Sequence, residues 1–122
     1  MKPIFKFLVA AMVTIFALGS LTACATSEKV STDGVTAIID VRTAGEYAAG
    51  HLQNAINVDV EAGTFTAQIQ KLDKAGKYLV YCHSGRRAGI AVDSMKALGF
   101  SAATNIGGID AAAATTSLPI VQ

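Results

Sequence analysis

The chain has 122 residues, 52% of them hydrophobic, with 10 Lys and Arg against 9 Asp and Glu and a formal charge of +1. Much of the apolar content sits at the N-terminus, and with Lys2 and Lys6 set aside the balance turns slightly acidic, so no global basic field remains to drive binding to nucleic acid or to an acidic membrane surface. The remainder, roughly one hundred residues without internal repeats, is enough for one modest domain.

The first segment has the layout of an export signal. Lys2 and Lys6 give a basic start, residues 7–18 form an uncharged apolar run too short for an ordinary membrane span, and small residues follow. Leu21-Thr22-Ala23-Cys24 resembles the bacterial lipobox, in which the chain is cut before the cysteine and the cysteine carries the lipid. On that reading residues 1–23 are a signal peptide, Cys24 is the lipidation site, residues 24–34 are a lipid-anchored or flexible tether, and residues 35–122 are the folded domain. Ala23-Cys24-Ala25 also fits an ordinary small-x-small cleavage site, which would release a soluble protein starting at Thr26. An uncleaved anchor is a third reading. All three put the domain outside the cytoplasm, which makes it periplasmic, either as a membrane-anchored lipoprotein or in soluble form.

Residues 36–41 are predicted as a strand. Thr43-Ala44-Gly45-Glu46 has the spacing of a capping box, with Thr43 as N-cap and Glu46 reaching back, and the helix it opens stops near Gly50. Residues 55–58 are a second strand. Phe65, Ile69 and Leu72 fall at helical intervals within residues 64–72, with Gly76 as a stop. Residues 78–81 are apolar and aromatic, as a buried strand requires, and lead to Cys82. Helical spacing resumes at Ala88, Ala91, Val92, Met95 and Leu98, closed by Gly99 as a left-handed cap that lets Phe100 pack back on Met95. Residues 101–106 are the last strand expected, Gly107-Gly108 a turn, and residues 109–115 a weak helix. This alternation implies an α/β fold, a central parallel sheet of about four to five strands with helices on both faces and ligands at the carboxyl ends of the strands.

Cys82 lies at such an end. Cys82-His83-Ser84-Gly85-Arg86-Arg87 joins the strand to the helix, so the sulfur faces unpaired N–H groups at a helix start with two arginines close behind, surroundings that favour a thiolate. With Cys24 lipidated or removed, Cys82 has no partner for an internal disulfide, and the cationic residues after it argue against burial in an apolar core. The pattern points to a nucleophilic thiol.

The order of short blocks resembles the rhodanese domain of sulfurtransferases: Ile39-Asp40-Val41-Arg42, Glu46-Tyr47, Gly50-His51-Leu52, Ala55-Ile56-Asn57, the Cys82 loop, Leu98-Gly99-Phe100 and Gly107-Gly108. With the export signal, the resemblance is to the single-domain periplasmic type. It implies a thiosulfate sulfurtransferase in which Cys82 takes a sulfur atom from a small anionic donor and passes it to cyanide or a thiol acceptor. No cofactor and no metal are implied. His83, Ser84, Gly85, Arg86 and Arg87 would bind the donor; either arginine could hold its sulfonate, and either could instead tie the loop to a carboxylate. Asp40 and Arg42 would form a structural network near the site.

Some positions depart from the resemblance or have plainer readings. His83 stands where arginine is frequent, Asn54 replaces a turn glycine, and the chain lacks the tryptophan frequent after the Gly-Gly turn. His51 suits a hydrogen-bonded turn rather than a zinc ligand, Glu46 is accounted for by the capping box, and Lys71, Lys74 and Lys77 read as solvated surface. Two other functions fit a lone cysteine at this position less well. A cysteine phosphatase or arsenate reductase needs arginine six places after the cysteine, where this chain has Ala88. A non-catalytic sulfur- or redox-sensing module would keep the loop without turnover.

Overall fold

The computed structural model describes residues 28–122; the leader, its cleavage sites and Cys24 lie outside the described residues. The strand and helix order is β1 (Ala37–Asp40), α1 (Ala44–Ala49), β2 (His51–Leu52), β3 (Ile56–Asn57), α2 (Phe65–Ile69), β4 (Lys77–Cys82), α3 (Arg86–Ala97), β5 (Ala102–Gly108), α4 (Ile109–Thr116) and β6 (Ile120–Val121). Four strands form a parallel sheet in the order β3-β1-β4-β5. The sheet thus has four strands, as the alternation of elements implied.

Strand alternation divides the core into two layers. Ile39, Val41, Tyr78, Val80 and Cys82 face α2 and α3 and pack with Phe65, Ile69, Ala88, Ala91, Val92 and Met95. Ile38, Leu79, Tyr81 and Ile106 point to the opposite face, where Leu52, Ala55 and Ala112 meet them. β4 lies between two partners and is buried over nearly its whole length, which explains its apolar and aromatic composition.

Local signals set the element ends. The capping box is formed, with the Glu46 N–H donating to Thr43 Oγ1 at 3.2 Å and the Thr43 N–H to Glu46 Oε1 at 3.4 Å. α3 ends in a left-handed Gly99 (φ 100), with the Gly99 N–H on the Lys96 carbonyl and the Phe100 N–H on the Met95 carbonyl. Asn54 adopts φ 69, so it accepts the left-handed geometry of the turn it occupies.

Three expectations about elements are corrected. Gly107-Gly108 is not a turn after a strand ending at 106: β5 runs Ala102–Gly108, and a register shift against β4 sets Gly108 opposite Cys82. β5 is not the last strand: after α4 the chain turns through a left-handed Ser117 and adds β6 antiparallel to β2, with His51 opposite Val121 and Leu52 opposite Ile120. Two-residue strands carry too little alternation to be seen in sequence. α2 is also shorter than residues 64–72, because hydrogen-bonded turns replace the helix after Ile69 while Leu72 still packs on the core.

Residues expected to be tether begin the fold. The Val30 N–H donates to the Thr115 carbonyl at 2.8 Å, and Lys29 Nζ donates to the Ala114 carbonyl at 3.0 Å. The chain therefore enters the domain at the C-terminal end of α4. Among the described residues no helix is long and apolar enough to cross a membrane.

Candidate active site

Cys82 closes β4 at the carboxyl edge of the sheet, and α3 starts four residues later. Gly85 makes so short a connection possible: its φ of 95 lies in the left-handed region, and the backbone folds back so that the Gly85 N–H donates to Cys82 Sγ at 2.9 Å. Gly85 is also the N-cap of α3 and supplies no side-chain cap, so the first-turn N–H groups remain directed toward the loop.

Cys82 is nevertheless fully buried and belongs to the core layer shared with Val80, Val41 and Ala88. The expectation that the cationic loop would keep it out of an apolar core is corrected here. Side-chain alternation along β4 directs its carbon inward, and the loop folds over the sulfur. His83, Ser84 and Arg86 are exposed around it, while Arg87 is half-buried.

The arginines differ in their partners. Arg87 Nη1 and Nη2 donate to Glu46 Oε1 and Oε2 at 2.7 and 3.0 Å, a two-pronged pair joining the start of α3 to the first turn of α1. This hydrogen bonding holds the Glu46 carboxyl down at about 2 and raises the guanidinium above its ordinary value. Glu46 thus does more than close its capping box, a role invisible locally because its partner lies 41 residues away. Arg86 has no ion-pair partner among the described residues.

Behind the loop, Asp40 and Arg42 are buried and saturate each other. Arg42 Nη2 donates to Asp40 Oδ2 at 2.7 Å and Nε to Oδ1 at 3.0 Å, and Nη2 also reaches the Gly50 carbonyl. Donating to the Asp40 carboxylate raises the Arg42 pKa. The Tyr81 hydroxyl donates to Asp40 Oδ2 at 2.8 Å and accepts from the Leu52 N–H at 2.9 Å; burial raises its pKa. No buried side-chain nitrogen or oxygen of this cluster lacks a hydrogen-bond partner among the described residues. His51 Nδ1 pairs with the Tyr47 carbonyl at 2.9 Å, and its ring stacks on Tyr47 with centroids 3.7 Å apart.

Asn105 is a site residue that the sequence did not disclose. Its Nδ2 donates to the Gly85 carbonyl at 2.9 Å and its Oδ1 accepts from the Gly107 N–H at 2.8 Å, so one side chain fastens the Cys82 loop to the Gly107-Gly108 end of β5. A lone Asn in a strand carries no local signal of that bridge. The two segments touch closely enough that a β-carbon on Gly108 would collide with the His83 carbonyl. A cavity of about 270 Å³, lined by Thr32, Val35, Thr36 and Leu118, lies at the opposite end of the sheet and takes no part in this arrangement.

The fold and the cysteine loop correspond to a known class. The Rhodanese-like domain family matches residues 25–115, and the chain belongs to that family. It is 32% identical over 71 residues to "Thiosulfate sulfurtransferase PspE" of Escherichia coli, covering 58% of this chain and 68% of that protein. It is 30% identical over 79 residues to "Putative sulfur carrier protein YrkF" of Bacillus subtilis, covering 65% of this chain but only 42% of that protein's length. Among solved structures, a rhodanese with anions from E. coli superposes with TM-score 0.58 at 28% identity, covering 70% of this chain and 96% of that one. A rhodanese-like domain from Anabaena gives TM-score 0.63 at 24% identity, over 70% and 98% of the respective chains.

Proposed function

We propose that the protein is a sulfurtransferase that moves a sulfane sulfur from thiosulfate or a similar anionic donor, through a persulfide on Cys82, to cyanide or a thiol acceptor. The observation that carries this reading is the Gly85 N–H held on Cys82 Sγ at the open first turn of α3, in a chain of the rhodanese-like family. In the first half-reaction the Cys82 thiolate attacks the outer sulfur of thiosulfate; its S–S bond breaks, sulfite leaves with the electron pair, and a new S–S bond forms on Cys82. In the second, the acceptor takes the outer sulfur and the thiolate is restored, so cyanide leaves as thiocyanate. Backbone N–H dipoles at the loop stabilise the anionic sulfur in both states.

Arg86 is the arginine free to hold the sulfonate, because Arg87 is occupied by Glu46. His83 and Ser84 form the exposed rim over which a donor would approach. Since Cys82 is buried, entry requires the arc of residues 83–86 to move aside. The pairing of Asp40 with Arg42 supports a structural role for both near the site rather than proton transfer. An extracytoplasmic location, with Cys24 as lipid anchor, belongs to the same reading and rests on the leader.

The test is the intact mass of the protein after thiosulfate treatment. A gain of one sulfur atom that cyanide removes as thiocyanate is expected, and Cys82→Ser should gain none. A Cys82→Ser protein that still transfers sulfur would rule out the mechanism; a wild-type protein that keeps its adduct against every acceptor would favour the sensing role.

A further inference from the structure

Counting charges along the chain shows near balance, but the fold separates them. Every lysine of the described residues, Lys29, Lys71, Lys74, Lys77 and Lys96, comes to the amino-terminal end of the sheet, opposite Cys82. Lys77 is the first residue of β4, Lys71 and Lys74 lie between α2 and β4, and Lys96 is in the last turn of α3. The Lys74 side chain lies against Gly99, the residue that caps α3. Lys29 caps the far end of α4. Four of the five are exposed, Lys77 is half-buried, and none forms an ion pair among the described residues. Four carboxylates lie at or near this end, Glu28, Asp33, Asp73 and, one turn before Lys96, Asp93, which leaves five lysines against four acids. The arginines all lie at the other end, two of them neutralised by Asp40 and Glu46.

The chain enters the domain at this same basic end, through Lys29 and Val30 on α4. Cys24 precedes Lys29 by only five positions, a stretch that spans at most about 18 Å when fully extended. That is shorter than the way round a domain of this size, whose radius of gyration is roughly 13 Å. A lipid on Cys24 would therefore keep the lysine end near the bilayer.

We infer that the lysine-bearing end of the domain is a docking surface for anionic phospholipid headgroups, which holds the Cys82 loop on the side facing away from the membrane. Basic side chains close to a bilayer attract anionic headgroups, and that attraction would orient a domain tethered at Cys24. The inference builds on the anchored, extracytoplasmic reading above but does not depend on sulfur transfer.

The experiment uses the purified full chain with vesicles of phosphatidylcholine alone and of phosphatidylcholine with about one-third phosphatidylglycerol, at low and high salt. Association and amine acylation of each lysine, located by mass spectrometry, are the readouts. Anionic vesicles should bind more strongly than neutral ones, salt should reverse the difference, and Lys71, Lys74 and Lys77 should be shielded while thiocyanate formation is unchanged. At about fivefold per lysine, Lys71→Gln, Lys74→Gln and Lys77→Gln together should lose on the order of a hundredfold of the anionic preference. The matching triple Arg variant should keep it, which separates lost charge from lost folding. Equal lysine labelling on both vesicles, or a triple Gln variant with full anionic preference, overturns the inference. Failure to bind neutral vesicles would count against the lipid anchor alone, since the anionic increment still reports on the lysine face.

Discussion

Arg86 and Arg87 are adjacent in the chain, but the first residue of α3 projects into solvent while the second is turned toward α1. Removing each should therefore have a different effect. Arg86→Gln should raise KM for thiosulfate about tenfold or more, the worth of a charge-assisted hydrogen bond, with no change in Tm. Arg87→Gln should lower Tm by a few degrees, because a partly exposed pair contributes about 1 kcal/mol. Steady-state kinetics with thermal melts on both variants checks the split. Its partner Glu46 adds a pH dependence. The carboxyl titrates near its ordinary 4.5 in the unfolded chain and at about 2 in the folded one, so the unfolded chain binds more protons between these values. The pair's stabilisation is complete above about pH 5 and is lost as pH falls toward 2. Its side chains are 20% and 34% exposed, and screening reduces the effect to about 1 kcal/mol. Urea unfolding of wild type and Glu46→Gln should differ by about that much at pH 6, and the gap should narrow by pH 3.

The Cys82 loop is held by two elements at once. α3 supplies its dipole and first-turn N–H groups, and β5 supplies Asn105 and its Gly107-Gly108 end, which packs against Gly85. Gly108 has an ordinary extended backbone (φ −79), so an alanine there meets no conformational penalty; it fails because its methyl group would strike the His83 carbonyl. Gly108→Ala should cost about 1–3 kcal/mol by overpacking and shift the loop away from Cys82. Its sulfur-transfer rate should fall well below wild type at temperatures where circular dichroism still reports a folded domain; unimpaired transfer would mean that the end of β5 does not set the loop. The start of α1 and the end of α3 were legible beforehand because a capping box and a glycine cap act within four or five residues, whereas α2 has no side-chain cap and its end was not. The β2 and β6 pair was not, since neither strand has a pattern of its own and each exists only because the other is beside it.

Across the whole molecule, the Asp40, Arg42 and Tyr81 cluster ties the sheet to the segment after α1. Arg42 links Asp40 of β1 to the Gly50 carbonyl, and Tyr81 of β4 holds the Leu52 N–H on the same face. Arg42→Leu would leave Asp40 charged and unpaired in a fully buried position, and should cost about 3–5 kcal/mol, a large share of the stability of a domain this small. Urea midpoints should show the loss directly. A variant as stable as wild type would mean that water or another donor takes over the carboxylate.

The strand-to-helix junction at Cys82, the capping box at Thr43, the left-handed Gly99 and the alternation of strands and helices were determined by the sequence itself, because each depends on neighbours within a turn or a strand. Which arginine is free, that Asn105 fastens the loop, that Cys82 is buried and that all the described lysines gather at one end were decided only by the tertiary structure. Those properties depend on the parallel order β3-β1-β4-β5, which sends every strand the same way and every α3-like return the other, bringing together groups tens of residues apart that no local pattern connects.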